Sequence, residues 1–189
     1  MEAYLDNSAT TRVDAQVQEL MKKLMDVDFG NPSSRHQKGV VAEGYIKDAR
    51  QKIAATLKVD PKELIITSGG TESNNMALIG TALAAKRKGN HIITTAVEHP
   101  SVKATASFLE EQGFRITFLS VDSRGQISLE DLKEALTPDT ILVSIMYVNN
   151  EIGTIQPVEE AAKLVHATVP GVVFHVDAIQ AYGKVMIRP

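Results

Sequence analysis

Cysteine is absent from all 189 residues, so neither a disulfide nor a thiolate metal site can be built from this chain. The lack of thiols fits a reducing compartment. Long apolar runs are absent too: none approaches the roughly 20 residues needed to span a bilayer, so no membrane partner is expected. The opening Met1-Glu2-Ala3-Tyr4-Leu5-Asp6 lacks both the basic start and the apolar stretch of a secretory leader. A cytoplasmic location is the expectation. A strong charge of one sign is also missing. The net charge is −3, and Lys86-Arg87-Lys88 is the one basic run, at the end of a predicted helix where cations favour the dipole. An electrostatic nucleic-acid footprint is thereby excluded. Repeats and low-complexity stretches are absent, and no metal site is expected.

What is present is an alternation. Short apolar runs at Leu64–Thr67, Ile92–Thr95, Ile116–Leu119, Ile141–Val148 and Val172–Val176 suit strands buried on both faces of a parallel sheet. Helical patterns fill the gaps: Thr71–Lys88, His99–Gln112 ending at Gly113, a helix capped by Ser128, and one opened by Pro157. The alternation predicts an α/β fold with a mostly parallel sheet and helices on both faces. Residues 1–60 differ, with helices over Val13–Val27 and His36–Leu57 around the turn-rich 29–34. We therefore expect a helical N-terminal segment (1–60) followed by the α/β part (61–189), in one structural unit. Gly183–Pro189 begins a further element that the sequence does not complete.

Four constellations fall at the predicted carboxyl edge of this sheet, where ligands bind in open α/β folds. Ser68-Gly69-Gly70-Thr71-Glu72-Ser73-Asn74-Asn75 passes from an apolar run into a helix. Glycines there let backbone N–H groups approach an anion, although a turn capped by Thr71 or Ser68 explains the segment equally well. Asp177 follows an apolar run, with Gln180 close behind. Its carboxylate suits a protonated heterocyclic nitrogen, and the Gln180 amide a ring oxygen; a capping Asp and a surface Gln are the simpler alternative. His99, before Pro100, suits stacking or proton transfer, or a plain helix start. Asn150, in Asn149-Asn150-Glu151, suits a carboxylate or ring contact, or turn chemistry leading to Gly153. His36, His91, His166 and His175 have weaker claims; His175 lies within a strand and is expected to be a satisfied core or interface residue. Taken together, the phosphate-like turn and Asp177 suggest pyridoxal 5'-phosphate (PLP).

Six segments together resemble the cysteine desulfurases, class V aminotransferase-like enzymes of PLP fold type I. They are Tyr4–Thr11, Phe29–His36, Ser68–Asn75, Glu98–Pro100, Val148–Gly153 and His175–Gln180. The Ser-Gly-Gly-Thr-Glu turn is similar to that of the branch serving iron–sulfur assembly and tRNA thiolation. The resemblance implies that Gly70 and Thr71 bind the PLP phosphate and that His99 stacks on the ring and moves protons. It implies that Asp177 pairs with the pyridine nitrogen and Gln180 with the phenolic oxygen. Asn150 is implied near that oxygen and the substrate carboxylate, Asn7, Ala9 and Thr10 at the site entrance, and Asn31–Ser34 in a dimer or active-site loop. The implied reaction takes sulfur from L-cysteine, leaves L-alanine and passes a persulfide to an acceptor protein, in a homodimer. Selenocysteine lyase, or another class V enzyme, and a catalytically dead binding or assembly module are the alternatives.

The family's cofactor-holding lysine, in a Ser-x-His-Lys context, and its sulfur-carrying cysteine are expected downstream; neither motif occurs here, and nothing around Lys184 matches. The substrate-gripping arginine is expected there too. In the family's sheet, later strands lie between Leu64–Thr67 and the rest. Without them that segment has no neighbours and apolar faces stand open, at about 25 cal/mol per Å² of surface left in water. A second polypeptide supplying the remainder, and inactivity of this chain alone, are therefore the expectations.

Overall fold

A computed structural model describes residues 2–187. The chain divides into two compact units: the described residues up to Ile66, joined by Ile187, and Thr67–Met186.

The first unit is helical. α1 (Ala15–Asp26) starts at Asp14, whose carboxylate accepts from Gln16 N–H at 2.8 Å, an ordinary side-chain cap. α2 (Gln37–Leu57) starts at His36 and ends at Lys58, which takes the left-handed conformation with φ 55°. The two are joined by polar contacts: Tyr45 donates to Asp28 at 2.7 Å, and Lys23 pairs with Asp28 at 3.3 Å. A 3-10 turn over Pro61–Glu63 carries a reciprocal capping box with Asp60. Leu64–Ile66 then runs extended without strand partners, with Ile65 70% and Ile66 60% exposed. The expected strand at Leu64–Thr67 is thus not formed; among the described residues no segment offers it a ladder of backbone partners.

The second unit is the α/β part. Its elements in order are α3 (Gly70–Ala85), β1 (His91–Thr95), α4 (Pro100–Glu111), β2 (Arg115–Leu119), α5 (Leu129–Ala135), β3 (Thr140–Ser144), α6 (Val158–Thr168) and β4 (Val173–His175). The sheet is four-stranded and parallel, in the order β2-β1-β3-β4. Alternate residues of each strand face opposite helical layers. Ile92 and Leu142 pack with Leu78 and Ala82 of α3 and Val102 and Leu109 of α4. Ile93 and Val143 pack with Leu132 of α5 and Ala161 and Val165 of α6. The central strands β1 and β3 are therefore buried on both faces, whereas the outer strands β2 and β4 stay partly exposed. Ser128 caps α5, accepting from Asp131 N–H at 3.2 Å, and α4 stops where Gly113 takes φ +88°.

The long apolar run Ile141–Val148 forms a strand only to Ser144, yet its ladder continues. Ile145 N–H donates to His175 O at 3.1 Å and Tyr147 N–H to Asp177 O at 2.9 Å. These alternate bonds carry β4 forward and deliver Asp177 to the carboxyl edge. Gly183 and Lys184 close a turn, no further element follows among the described residues, and Arg188 and Pro189 lie outside them.

Candidate active site

Strand order reverses at β1: the chain moves from β1 outward to β2, then returns to place β3 on the other side. Such a switch point opens a crevice beyond the strand ends. The loops after β1, β3 and β4 carry Glu98 and His99, Asn149 and Asn150, and Asp177, all at that edge.

The α3 N-terminus carries no side-chain cap. The first intrahelical bond is Ser73 N–H to Gly69 O at 3.1 Å. The N–H groups of Gly70, Thr71 and Glu72 therefore precede the helix ladder, pointing out at the positive end of the dipole. Capping by Ser68 or Thr71 does not occur. Ser68 instead gives its N–H and hydroxyl to Glu72 at 2.6 and 2.7 Å, which bolts the glycine turn and holds the Glu72 carboxyl below its usual range. Thr71 is exposed. A Cβ on Gly70 would lie 1.7 Å from Ile179 Cδ1, so glycine there permits close approach of the segment that carries Asp177 and Gln180.

Asp177 is buried. Oδ1 accepts from Ile179 N–H at 3.0 Å and Oδ2 from Asn74 Nδ2 at 2.8 Å. Each oxygen keeps a further lone pair for a donor. Asn74 lies four residues after Gly70, one turn or roughly 6 Å along α3, which brings the anion site and the carboxylate within the span of one small ring compound. Gln180 accepts from Lys184 Nζ at 2.8 Å, which turns the nitrogen of its carboxamide away from that lysine.

His99 is the N-cap of α4. Its Nδ1 accepts from Ser101 N–H at 3.1 Å and lies 2.9 Å from Ser101 Oγ. With Nδ1 accepting, the ring proton of the neutral tautomer falls to Nε2 of this exposed histidine. The plain helix-start role is therefore the one observed. Glu98, beside it, is 2% exposed. Its Oε1 accepts from Thr95 Oγ1 at 2.9 Å and Met146 N–H at 2.8 Å, and Oε2 has no partner. Burial pushes its carboxyl up to about 7, with Asp177 adding in the same direction.

Asn150 is half-buried in a turn organised by its neighbour. Asn149 donates to Val97 O at 2.9 Å and accepts from Glu151 and Ile152 N–H at 2.9 and 3.0 Å. The loops after β1 and β3 are thus tied twice, by Glu98 and by Asn149. Asn7, Ala9 and Thr10 belong to the first unit, in an exposed turn where Ala9 and Thr10 N–H donate to Asp6 O at 3.2 and 3.3 Å. His91 is a satisfied core histidine among Thr117, Thr137 and Thr140. His175 bonds Ser144 Oγ at 2.9 Å.

Sequence reasoning missed Asn74, Ser101, Glu98 and Asn149 as working parts. Asn74 carried a usable signal: its spacing from Gly70 places it on the same helix face. The others are recognisable only once their partners are brought close. An open depression beside Ser68, Thr71, Asn75 and Ile79 runs along the flank of α3. It includes neither Asp177 nor His99, so the hydrogen-bonded edge, and not that hollow, is the site the chemistry favours.

Residues 3–188 match the family described as aminotransferase class-V. A cysteine desulfurase IscS of Dictyoglomus turgidum is 49% identical over 99% of this chain and 47% of its own length. A putative cysteine desulfurase IscS 1 of Bacillus subtilis is 48% identical over 97% of this chain and 48% of its own. Among solved structures, a NifS-like protein has TM-score 0.96 at 42% identity, covering 100% of this chain and 52% of that one. SspA in complex with cysteine has TM-score 0.92 at 39% identity, covering 98% and 53%. The chain spans about half the length of the curated relatives it matches.

Proposed function

Because the chain belongs to the class-V aminotransferase family, whose cysteine desulfurases depend on PLP, we propose that it is the cofactor-positioning part of a cysteine desulfurase. It acts with the remainder of the family's domain, on the same or a second polypeptide, which carries the cofactor-holding lysine and the sulfur-accepting cysteine. One observation carries the reading: a buried, doubly hydrogen-bonded Asp177 one helix turn from an uncapped anion-binding N-terminus, at a sheet switch point.

These residues fit the cofactor. When bound, PLP supplies an electron sink conjugated to the substrate Cα. Gly70 and Thr71 hold its phosphate through N–H groups and a hydroxyl. Asp177 accepts from the pyridine N–H and so keeps that nitrogen protonated. Gln180 donates to the phenolic oxygen, and Asn150 lies toward that oxygen and the substrate carboxylate. His99 covers the ring face and holds or moves a proton at Nε2. The family resemblance alone assigns Asn7, Ala9 and Thr10 to the substrate entrance.

L-cysteine is the substrate. Its C–S bond breaks, L-alanine leaves, and the sulfur joins the acceptor cysteine as a persulfide. A solved relative described as bound to cysteine supports this choice. The persulfide passes to an acceptor protein for iron–sulfur assembly or tRNA thiolation, in a cytoplasmic homodimer.

The test is to produce this chain together with the uncovered half of the D. turgidum relative. The assembled protein should show the visible absorption of bound PLP and release alanine from L-cysteine, while this chain alone should release none. An assembled, folded protein that takes up no PLP overturns the reading. Uptake without turnover of cysteine would make the chain a binding or assembly part.

A further inference from the structure

Asp177 and His99, 78 positions apart in sequence, are connected by two buried polar side chains with no place in the function described above. Asn74 is 3% exposed and Ser101 8%. Asn74 Nδ2 lies 2.8 Å from Asp177 Oδ2 and 3.0 Å from Ser101 Oγ, and Ser101 Oγ lies 2.9 Å from His99 Nδ1. The directions follow from two of these contacts: Asn74 Nδ2 donates to Asp177 Oδ2, and His99 Nδ1 accepts from Ser101 N–H. One amide hydrogen goes to Asp177 and the other to Ser101 Oγ, which is thereby an acceptor from Asn74. The Ser101 hydroxyl hydrogen is left to point at His99 Nδ1. The backbone N–H of Ser101 reaches the same nitrogen at 3.1 Å, so both hydrogens of this short segment converge on it.

We infer that Asn74 is a positioning residue, which with Ser101 forms a one-way bridge aligning the Asp177 carboxylate and the His99 imidazole as a pair. The inference rests on the PLP reading for its purpose and on the hydrogen-bond geometry for its existence. The bridge explains why an asparagine occupies a buried position of α3 four residues before Leu78, which packs in the apolar core. Deleting the amide leaves Asp177 Oδ2 short of a donor and lets the Ser101 hydroxyl rotate; deleting the hydroxyl leaves His99 Nδ1 with the backbone N–H alone. Hydrogen bonds to charged groups are worth enough that losing the Asn74 donor should weaken cofactor binding by about tenfold or more.

The test uses the assembled protein and two readouts. The first is the ¹⁵N resonance of His99 Nδ1 in cofactor-free, histidine-labelled protein. The second is the dissociation constant for PLP from its visible absorption. Asn74→Ala and Ser101→Ala should both move the Nδ1 resonance toward that of a less hydrogen-bonded acceptor. The double variant should match Ser101→Ala alone, because both act along one chain. Ser101→Thr, which keeps the hydroxyl, should retain the unaltered resonance. Asn74→Ala should also weaken PLP. If Asn74→Ala does not fold, the Ser101 pair still decides: equal resonances for Ser101→Ala and Ser101→Thr overturn the bridge. An Asn74→Ala protein with unchanged resonance and unchanged PLP affinity overturns it too. Failure of the unaltered protein to take up PLP sinks the proposed function, whereas the cofactor-free resonances decide the bridge independently.

Discussion

Glu98 is the residue whose environment departs most from its sequence context. A carboxyl between a strand end and a histidine would ordinarily face water, yet here it is enclosed, with one oxygen fully used and the other without a partner. The Coulombic push from Asp177 adds to the desolvation that raises it. The sign of the consequence follows from linkage. A carboxyl raised in the folded state from 4.5 to about 7 leaves stability whole below pH 4.5 and lowers it as pH climbs toward 7, by about 3 kcal/mol. Glu98→Gln keeps an acceptor for Thr95 and Met146 and removes the titration. Denaturant unfolding should therefore find Glu98→Gln more stable than the unaltered protein at pH 8, with the advantage vanishing near pH 4.5. An advantage of equal size at both pH values would mean that Glu98 does not titrate in this window.

Among elements, the N-terminus of α3 does the most with the least. Its glycine turn is held by Glu72 on Ser68, its leading N–H groups are uncapped, and Gly70 lies against the Ile179 tip. Gly70→Ala adds at most about 1 kcal/mol of helix propensity. It also needs Ile179 Cδ1 to move, but that atom is the tip of an exposed, flexible side chain and can rotate away at little cost. Urea unfolding should therefore find the stability of Gly70→Ala within about 1 kcal/mol of the unaltered protein. A loss of several kcal/mol would show that the Ile179 contact excludes a side chain at position 70.

At the scale of the whole molecule, the amount of apolar side chain left in water is large for a finished domain. α1 buries none of its residues and exposes Leu20, Met21 and Met25, while Ile65, Ile66, Met76 and Leu83 are exposed elsewhere. Each square ångström covered contributes about 25 cal/mol, so a complementary half has much to gain by covering these surfaces. This chain alone should bind a hydrophobic dye strongly and self-associate, and adding the remaining half of the family's domain should quench the dye signal and restore a discrete species. A dye-silent, discrete monomer of this chain would count against a missing half.

The alternation of apolar runs with helical periods determined the α/β class by itself, because buried parallel strands and amphipathic helices leave local marks in the order of residues. The cap at Ser128 and the stop at Gly113 were equally local, since each depends on atoms within a few positions. The candidate site was half legible: His99, Asn150 and Asp177 stand out because they follow strand ends, and Gly70 and Thr71 because a glycine turn opens a helix. Asn74 bonded to Asp177, Met146 N–H reaching Glu98, and Asn149 tying two loops join positions far apart in the chain. Leu64–Thr67 has every local mark of a strand and forms none, for a strand exists only where another strand pairs with it. Only the tertiary structure decides such matters, because a hydrogen bond across the sheet edge depends on which strand ends the fold sets side by side.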